Sequence, residues 1–128
     1  MAKVELEHVN VTVSDPEATA RRLCNWFGWH IRWHGPAKDG GTTYHVGTDQ
    51  SYVALYSAPG PTTKGGITHT TLGGLNHIAV VAGDLDAVER TLIADGIKTH
   101  SHGDYEPGRR FYFDDPDGIE YEVVSYTA

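Results

Sequence analysis

An α+β chain made of two βαβββ modules is what this sequence predicts, and three observations carry the prediction. A phrase occurs twice, as His8-Val9-Asn10-Val11-Thr12-Val13-Ser14-Asp15 and as His77-Ile78-Ala79-Val80-Val81-Ala82-Gly83-Asp84, with both the histidines and the aspartates 69 residues apart. Each aspartate stands where a helical pattern begins, and a glycine stops each pattern, Gly28 in one copy and Gly96 in the other. Three strand-like stretches then follow in each copy.

The elements follow in order. In the opening strand Val9, Val11 and Val13 share one face while His8, Asn10 and Thr12 share the other. The valines are the natural seat for a helix, so His8 faces away from it. Asp15 is an N-cap residue type and Pro16 suits the first helical position. Ala20, Leu23 and Phe27 recur at helical spacing, as do Leu85, Val88, Leu92 and Ile93 in the second copy. Strands are expected over 29–34, 42–47 and 52–57, and again over 97–102, 109–114 and 119–126. In the second strand Trp29, Ile31 and Trp33 alternate with His30, Arg32 and His34, and the apolar set is expected to pack inward.

Module one thus covers about 4–57 and module two about 75–126, joined by a Gly-, Pro- and Thr-rich linker at 58–74, within a single domain of 128 residues. A charged fraction of 21% with 39% hydrophobic residues is ordinary for a soluble globular chain. No apolar run approaches a membrane span and no signal-peptide pattern opens the chain, so the expected location is the cytoplasm. Cys24 is the only cysteine, which rules out an internal disulfide and leaves a packed structural thiol on the helix. A net charge of −7 argues against nucleic acid as a partner, since phosphate neutralisation needs a basic patch.

Strand parity then selects a site. In the last strand Tyr121 and Val123 share one face, and Glu120, Glu122 and Val124 the other. If each sheet buries one face under a helix, the remaining faces carry His8, His77 and Glu122. Two imidazoles and one carboxylate on rigid strands make a facial ligand set that leaves positions open, as suits Fe(II), Mn(II), Zn(II) or Ni(II). A strand histidine taken alone is more often structural; its duplicate in register and a carboxylate on the matching face change that balance.

The phrase Leu75-Asn76-His77-Ile78-Ala79-Val80 and the run Phe111-Tyr112-Phe113-Asp114-Asp115-Pro116-Asp117-Gly118-Ile119-Glu120-Tyr121-Glu122 resemble the vicinal oxygen chelate superfamily. That superfamily includes glyoxalase I, extradiol dioxygenases, methylmalonyl-CoA epimerase, and the fosfomycin and bleomycin resistance proteins. Its Asp-Pro-Asp-Gly turn precedes a ligand glutamate four residues beyond the glycine, a position held here by Glu122. The resemblance implies curved mixed sheets around a central cleft with helices outside, a divalent metal, a small-molecule substrate and a homodimer. Glyoxalase I and the epimerase take a fourth ligand from the last strand of module one, where this chain has Ala54. The resemblance therefore favours a lyase, isomerase or extradiol-type dioxygenase other than true glyoxalase I.

Around the ligands, Glu120 and Tyr52 are candidate catalytic groups, and Tyr56, Arg32, Arg110 and Asn10 candidate substrate contacts. Sheet-face packing for the tyrosines and solvated surface charge for the arginines are the plainer alternatives. His45, His69, His100 and His102 have no assignment from sequence. A bleomycin-resistance-type module that sequesters a cationic small molecule without metal is the second function class, and −7 suits it.

Overall fold

A computed structural model describes residues 3–66 and 68–126. The chain divides into two compact units, Met1–Lys64 and Gly65–Ala128. In the first, β1 (His8–Thr12), α1 (Pro16–Phe27), β2 (His30–Pro36), β3 (Thr42–Gly47) and β4 (Tyr52–Ser57) follow in sequence. They form a four-stranded sheet in the order β1-β4-β3-β2. The second repeats the plan with β5 (Ile78–Val81), α2 (Leu85–Ala94), β6 (Thr99–Tyr105), β7 (Gly108–Asp114) and β8 (Glu120–Ser125), in the order β5-β8-β7-β6. In both sheets the opening strand pairs in parallel with the closing one, and the other pairings are antiparallel. This is the predicted βαβββ unit, twice. Between the units the predicted linker is almost wholly exposed and holds a short 3₁₀ turn at Thr68–Thr70; Ile67 lies outside the described residues. Among the described residues no helix is long and apolar enough to cross a membrane.

The duplicated aspartates begin the helices as their side-chain chemistry requires. Asp15 Oδ1 accepts the Ala18 N–H at 3.2 Å and Asp84 Oδ1 accepts the Ala87 N–H at 3.0 Å, each satisfying a donor the first turn leaves over. Pro16 occupies the start of α1, and Gly28 ends it in the left-handed region at φ 71°, its N–H bonded to the Cys24 carbonyl. In the second copy Asp95 caps α2 and Gly96 follows at φ 80°.

Each sheet buries most of its helix-facing side, although Val9, expected on that face, is 37% exposed. Val46, Val53 and Leu55 lie under α1 with Thr19, Ala20, Leu23 and Trp26; Phe111, Phe113, Tyr121 and Val123 fill the second core with Leu85 and Leu92. Three sequence expectations need correction. Trp26, three residues after Leu23, takes the buried helix position expected of Phe27, whose ring instead lies 5.0 Å from Trp29. Ile93 is 58% exposed, because one step beyond Leu92 turns about 100° away from the stripe. Trp33 is half exposed, because a β-bulge between Ile31 and Trp33 inverts the parity of β2.

The β7–β8 connection shows why Asp-Pro-Asp-Gly stands where it does. Asp115 is buried and its Oδ1 accepts the N–H groups of Asp117 and Ile119, both at 2.9 Å. Its backbone exchanges hydrogen bonds with Gly118 and Ile119, and Gly118 takes φ 84°, where a Cβ would be strained. The turn sets the register Asp114↔Glu120, Tyr112↔Glu122 and Arg110↔Val124. One prediction follows from the caps: Asp15→Ala and Asp84→Ala should each lower unfolding free energy by about 1 kcal/mol, read from urea midpoints, whereas Asp84→Ser should keep most of the stability.

Candidate functional site

On the second sheet, the face away from α2 carries His77, Glu122, Arg110 and Tyr112. His77 immediately precedes β5, and its Nε2 lies 3.0 Å from Glu122 Oε1. Its Nδ1 donates to Asn76 Oδ1 at 2.7 Å. A neutral imidazole with its proton on Nδ1 turns a lone pair on Nε2 toward the carboxylate, an arrangement completed by a cation or by a second proton. Arg110 Nη1 donates to Glu122 Oε2 at 2.8 Å, its Nη2 donates to the Gly108 carbonyl at 3.2 Å, and the guanidinium lies 4.8 Å over the Tyr105 ring. Both members of this ion pair are nearly inaccessible, at 12% and 9% side-chain exposure. Arg110, predicted as a substrate contact, is thus committed to holding the carboxylate. The Tyr112 ring meets His77 edge-on at 5.7 Å, and burial, then the Glu122 charge, raises its phenol above the ordinary value. It therefore keeps its proton and can donate.

Glu120 lies two residues before Glu122 on the same strand face, with Asp114 opposite it. Its Oε1 is 3.4 Å from His69 Nε2.

On the first sheet, the face away from α1 is built from rings. His8 stacks on Tyr52 at 4.8 Å, Tyr52 on His45 at 4.5 Å, and Trp33 leans on His45 at 5.2 Å. Register explains the row: His8 pairs with Tyr52, Ala54 with His45, and His45 with Trp33 once the bulge has moved Trp33 to this face. Arg32, at the bulge, places its guanidinium 4.5 Å over the Tyr52 ring and donates to the Thr48 carbonyl at 3.0 Å. Glu7 Oε1 accepts from His8 Nδ1 at 2.8 Å and from the Tyr52 hydroxyl at 3.3 Å. The His8 bond is the chief reason the Glu7 carboxyl titrates below its usual value. Burial, then Glu7, raises the Tyr52 phenol, so Tyr52 serves here as a proton donor.

The other expected contacts fall as follows. The Tyr56 hydroxyl donates to the Lys38 carbonyl at 2.9 Å, and exposed Asn10 lies beside Ala54. Ala54, at the position of the family's fourth ligand, is 1% exposed. Asn10 and His45 flank it, and neither supplies a carboxylate.

His45 and Tyr112 escaped the sequence reading. Pairing 42–47 against 52–57 would have set His45 beside Ala54, and pairing 109–114 against the last strand would have set Tyr112 beside Glu122. Burial first, then the neighbouring His8 and the Arg32 guanidinium, lowers the His45 imidazole below its usual value, which keeps it neutral near pH 7.

The donor types fit a divalent ion: Glu122 Oε1 and His77 Nε2 face one another, while Asn76 and Arg110 hold the remaining atom of each. His8 has its Nδ1 engaged in the same way by Glu7, which leaves its Nε2 open. Removing one partner from the buried ion pair has a definite cost. Arg110→Met should destabilise the fold by about 3 kcal/mol, and Arg110→Met with Glu122→Leu by less than the single change, both measured by urea denaturation.

The model of the Glyoxalase/Bleomycin resistance protein/Dioxygenase superfamily matches residues 5–123. No curated protein matches the chain. Among solved structures, a glyoxylase/bleomycin resistance protein/dioxygenase domain from Frankia sp. EAN1pec is 21% identical, with 97% of this chain and 98% of that one covered at a TM-score of 0.80. The antibiotic binding protein TnmS3 from Streptomyces sp. CB03234 is 22% identical over 99% of both chains at a TM-score of 0.75. The fosfomycin resistance protein FosX from Listeria monocytogenes is 18% identical over 98% and 96%, at 0.72. At these identities the structures speak for the fold, and the family match supplies the conclusion: this chain belongs to the Glyoxalase/Bleomycin resistance protein/Dioxygenase superfamily.

Proposed function

We propose that the chain is a metal-dependent enzyme acting on a small oxygenated molecule, with His77 and Glu122 as metal ligands and His8 as the third ligand that the family pattern implies. The observation that carries this reading is the 3.0 Å approach of His77 Nε2 to Glu122 Oε1, with the other imidazole nitrogen already bonded to Asn76. A bound divalent ion would supply Lewis-acid stabilisation to adjacent substrate oxygens. Arg110 holds Glu122 Oε2 and so leaves Oε1 as the donor. Tyr112 keeps its phenolic proton and offers it to a developing oxyanion. Tyr52, protonated and backed by Glu7, is a donor of the same kind on its own sheet.

A second reading is a sequestering module of the bleomycin-resistance type, without catalytic metal. What favours it is the ring row of His8, Tyr52, His45 and Trp33, a stacking surface for a planar ligand. The antibiotic binding relative in Streptomyces shares the fold.

Metal analysis separates the two. Protein purified without added ions or chelators should carry stoichiometric metal. His77→Ala, Glu122→Gln and His8→Ala should each weaken metal binding by at least about 100-fold, with far-ultraviolet circular dichroism unchanged. Equal occupancy in wild type and variants would reject the ligand set and leave the sequestering module.

A further inference from the structure

A second group of ligating side chains lies on unit two, made of residues that take no part in the His77–Glu122 pair. His100 on β6, Asp114 at the end of β7 and Glu120 at the start of β8 bring one ligand atom each to within 4.8 Å of one another. The closest approach between His100 and Asp114 is 3.3 Å, from Nε2 to Oδ2. His69, from the Thr68–Thr70 turn, stands beside this group of three, its Nε2 3.4 Å from Glu120 Oε1. Ligand atoms bound at about 2.0–2.2 Å around one ion stand roughly 3–4 Å apart, so these separations need little adjustment.

The backbone is shaped to deliver His100. Pairing of β6 with β7 slips between His100 and Gly103, and inside that bulge Ser101 takes φ 56°, in the left-handed region that a residue with a Cβ rarely enters. Bulges redirect side chains. This one leaves the imidazole with its Nδ1 2.8 Å from Ser101 Oγ and its Nε2 at the Asp114 carboxylate.

That Nε2 is buried and has no hydrogen-bond partner. If Nδ1 donates to Ser101, Nε2 turns a bare lone pair toward a carboxylate. If Ser101 donates to Nδ1, Nε2 carries a proton with no acceptor in hydrogen-bonding geometry. A cation between imidazole and carboxylate satisfies the first arrangement completely. Simple ion pairing does not account for the group, since exposed pairs at these separations contribute little and leave Nε2 unsatisfied. A surface cavity of about 430 Å³ lined by Lys98, His100 and Asp114 gives ions and completing waters access.

We propose that His100, Asp114 and Glu120, joined by His69, form a binding site for a divalent first-row transition ion. Two imidazoles and two carboxylates suit zinc and its neighbours better than calcium or magnesium, which take oxygen donors. Because His69 lies in the Thr68–Thr70 turn and the other three belong to the sheet, the ion would pin that turn to the β7–β8 hairpin.

Titration calorimetry of the full chain, stripped with EDTA and titrated with zinc chloride alone, tests this. A zinc equivalent should persist in His77→Ala/Glu122→Gln and weaken by at least about 100-fold in His100→Ala/Asp114→Asn, with circular dichroism unchanged in both. His69→Ala should weaken it by about tenfold. Asp114 is half exposed, so Asp114→Asn alone serves if the double variant fails to fold, and about a tenfold loss is then expected. Unchanged zinc binding in the His100 and Asp114 variants, or no zinc equivalent in His77→Ala/Glu122→Gln, overturns the proposal.

Discussion

A nearly inaccessible carboxylate is tolerable only when its charge is answered, and the polar face of the second sheet is organised around that requirement at Glu122. The group is 9% exposed, and Arg110 and His77 each take one of its oxygens. Removing Arg110 leaves a buried anion without its counter-charge, at a cost far above that of a surface pair. The surrounding choices follow. Arg110 must be long enough to reach from β7 and must itself be held, which the Gly108 carbonyl and the Tyr105 ring accomplish. His77 must present Nε2, which Asn76 secures by holding Nδ1. The Asp-Pro-Asp-Gly turn matters because a one-residue slip in β8 would send Glu122 into the helix-packed core and Tyr121 or Val123 onto the polar face.

Both sheets place a bulge in the same strand of the repeat, β2 and β6, and both bulges serve the polar face. In the first, the extra residue carries Arg32 over Tyr52 and moves Trp33 beside His45. In the second, it turns His100 toward Asp114. A regular strand would have kept Trp33 on the helix side, where Trp26 and Leu23 already fill the space beneath α1. The two units therefore share a scaffold and differ in what the bulge delivers: a ring and a guanidinium in one, a ligating imidazole in the other.

The fold was largely legible because its signals are local. Asp15, Pro16 and Gly28 mark one helix and Asp84 and Gly96 the other, and alternation in 8–13 and 119–125 fixes which side chains share a face. What escaped the reading depends on pairing between strands. His45 becomes meaningful only in the row with Ala54, and Tyr112 only in the row with Glu122. Trp33 and His100 were misread or left unassigned because a bulge resets parity without a composition cue: Arg32 and Ser101 carry no glycine signal. Phe27 and Ile93 were misplaced by a single helical step, which a period of 3.6 scarcely distinguishes when apolar residues are adjacent, as in Trp26-Phe27 and Leu92-Ile93.

The duplication reaches beyond the backbone to the handling of protons. His8 and His77 are equivalent in the repeat, and so are the residues before them, Glu7 and Asn76. In each unit that preceding side chain engages Nδ1 of the opening histidine, at 2.8 Å and 2.7 Å. A preceding strand residue would normally point to the opposite face; both of these lie just outside their strands, where the chain is free to turn the side chain back. The result is one device used twice: the proton is fixed on Nδ1 and Nε2 is offered to whatever comes next. The partners differ in charge, and the difference has a chemical consequence. Glu7 sets an anion against the His8 imidazole, whereas the neutral Asn76 leaves His77 facing the carboxylate of Glu122, itself held by Arg110. Equal placement with unequal partners is how a duplicated scaffold gives its two histidines different surroundings while keeping the same nitrogen exposed.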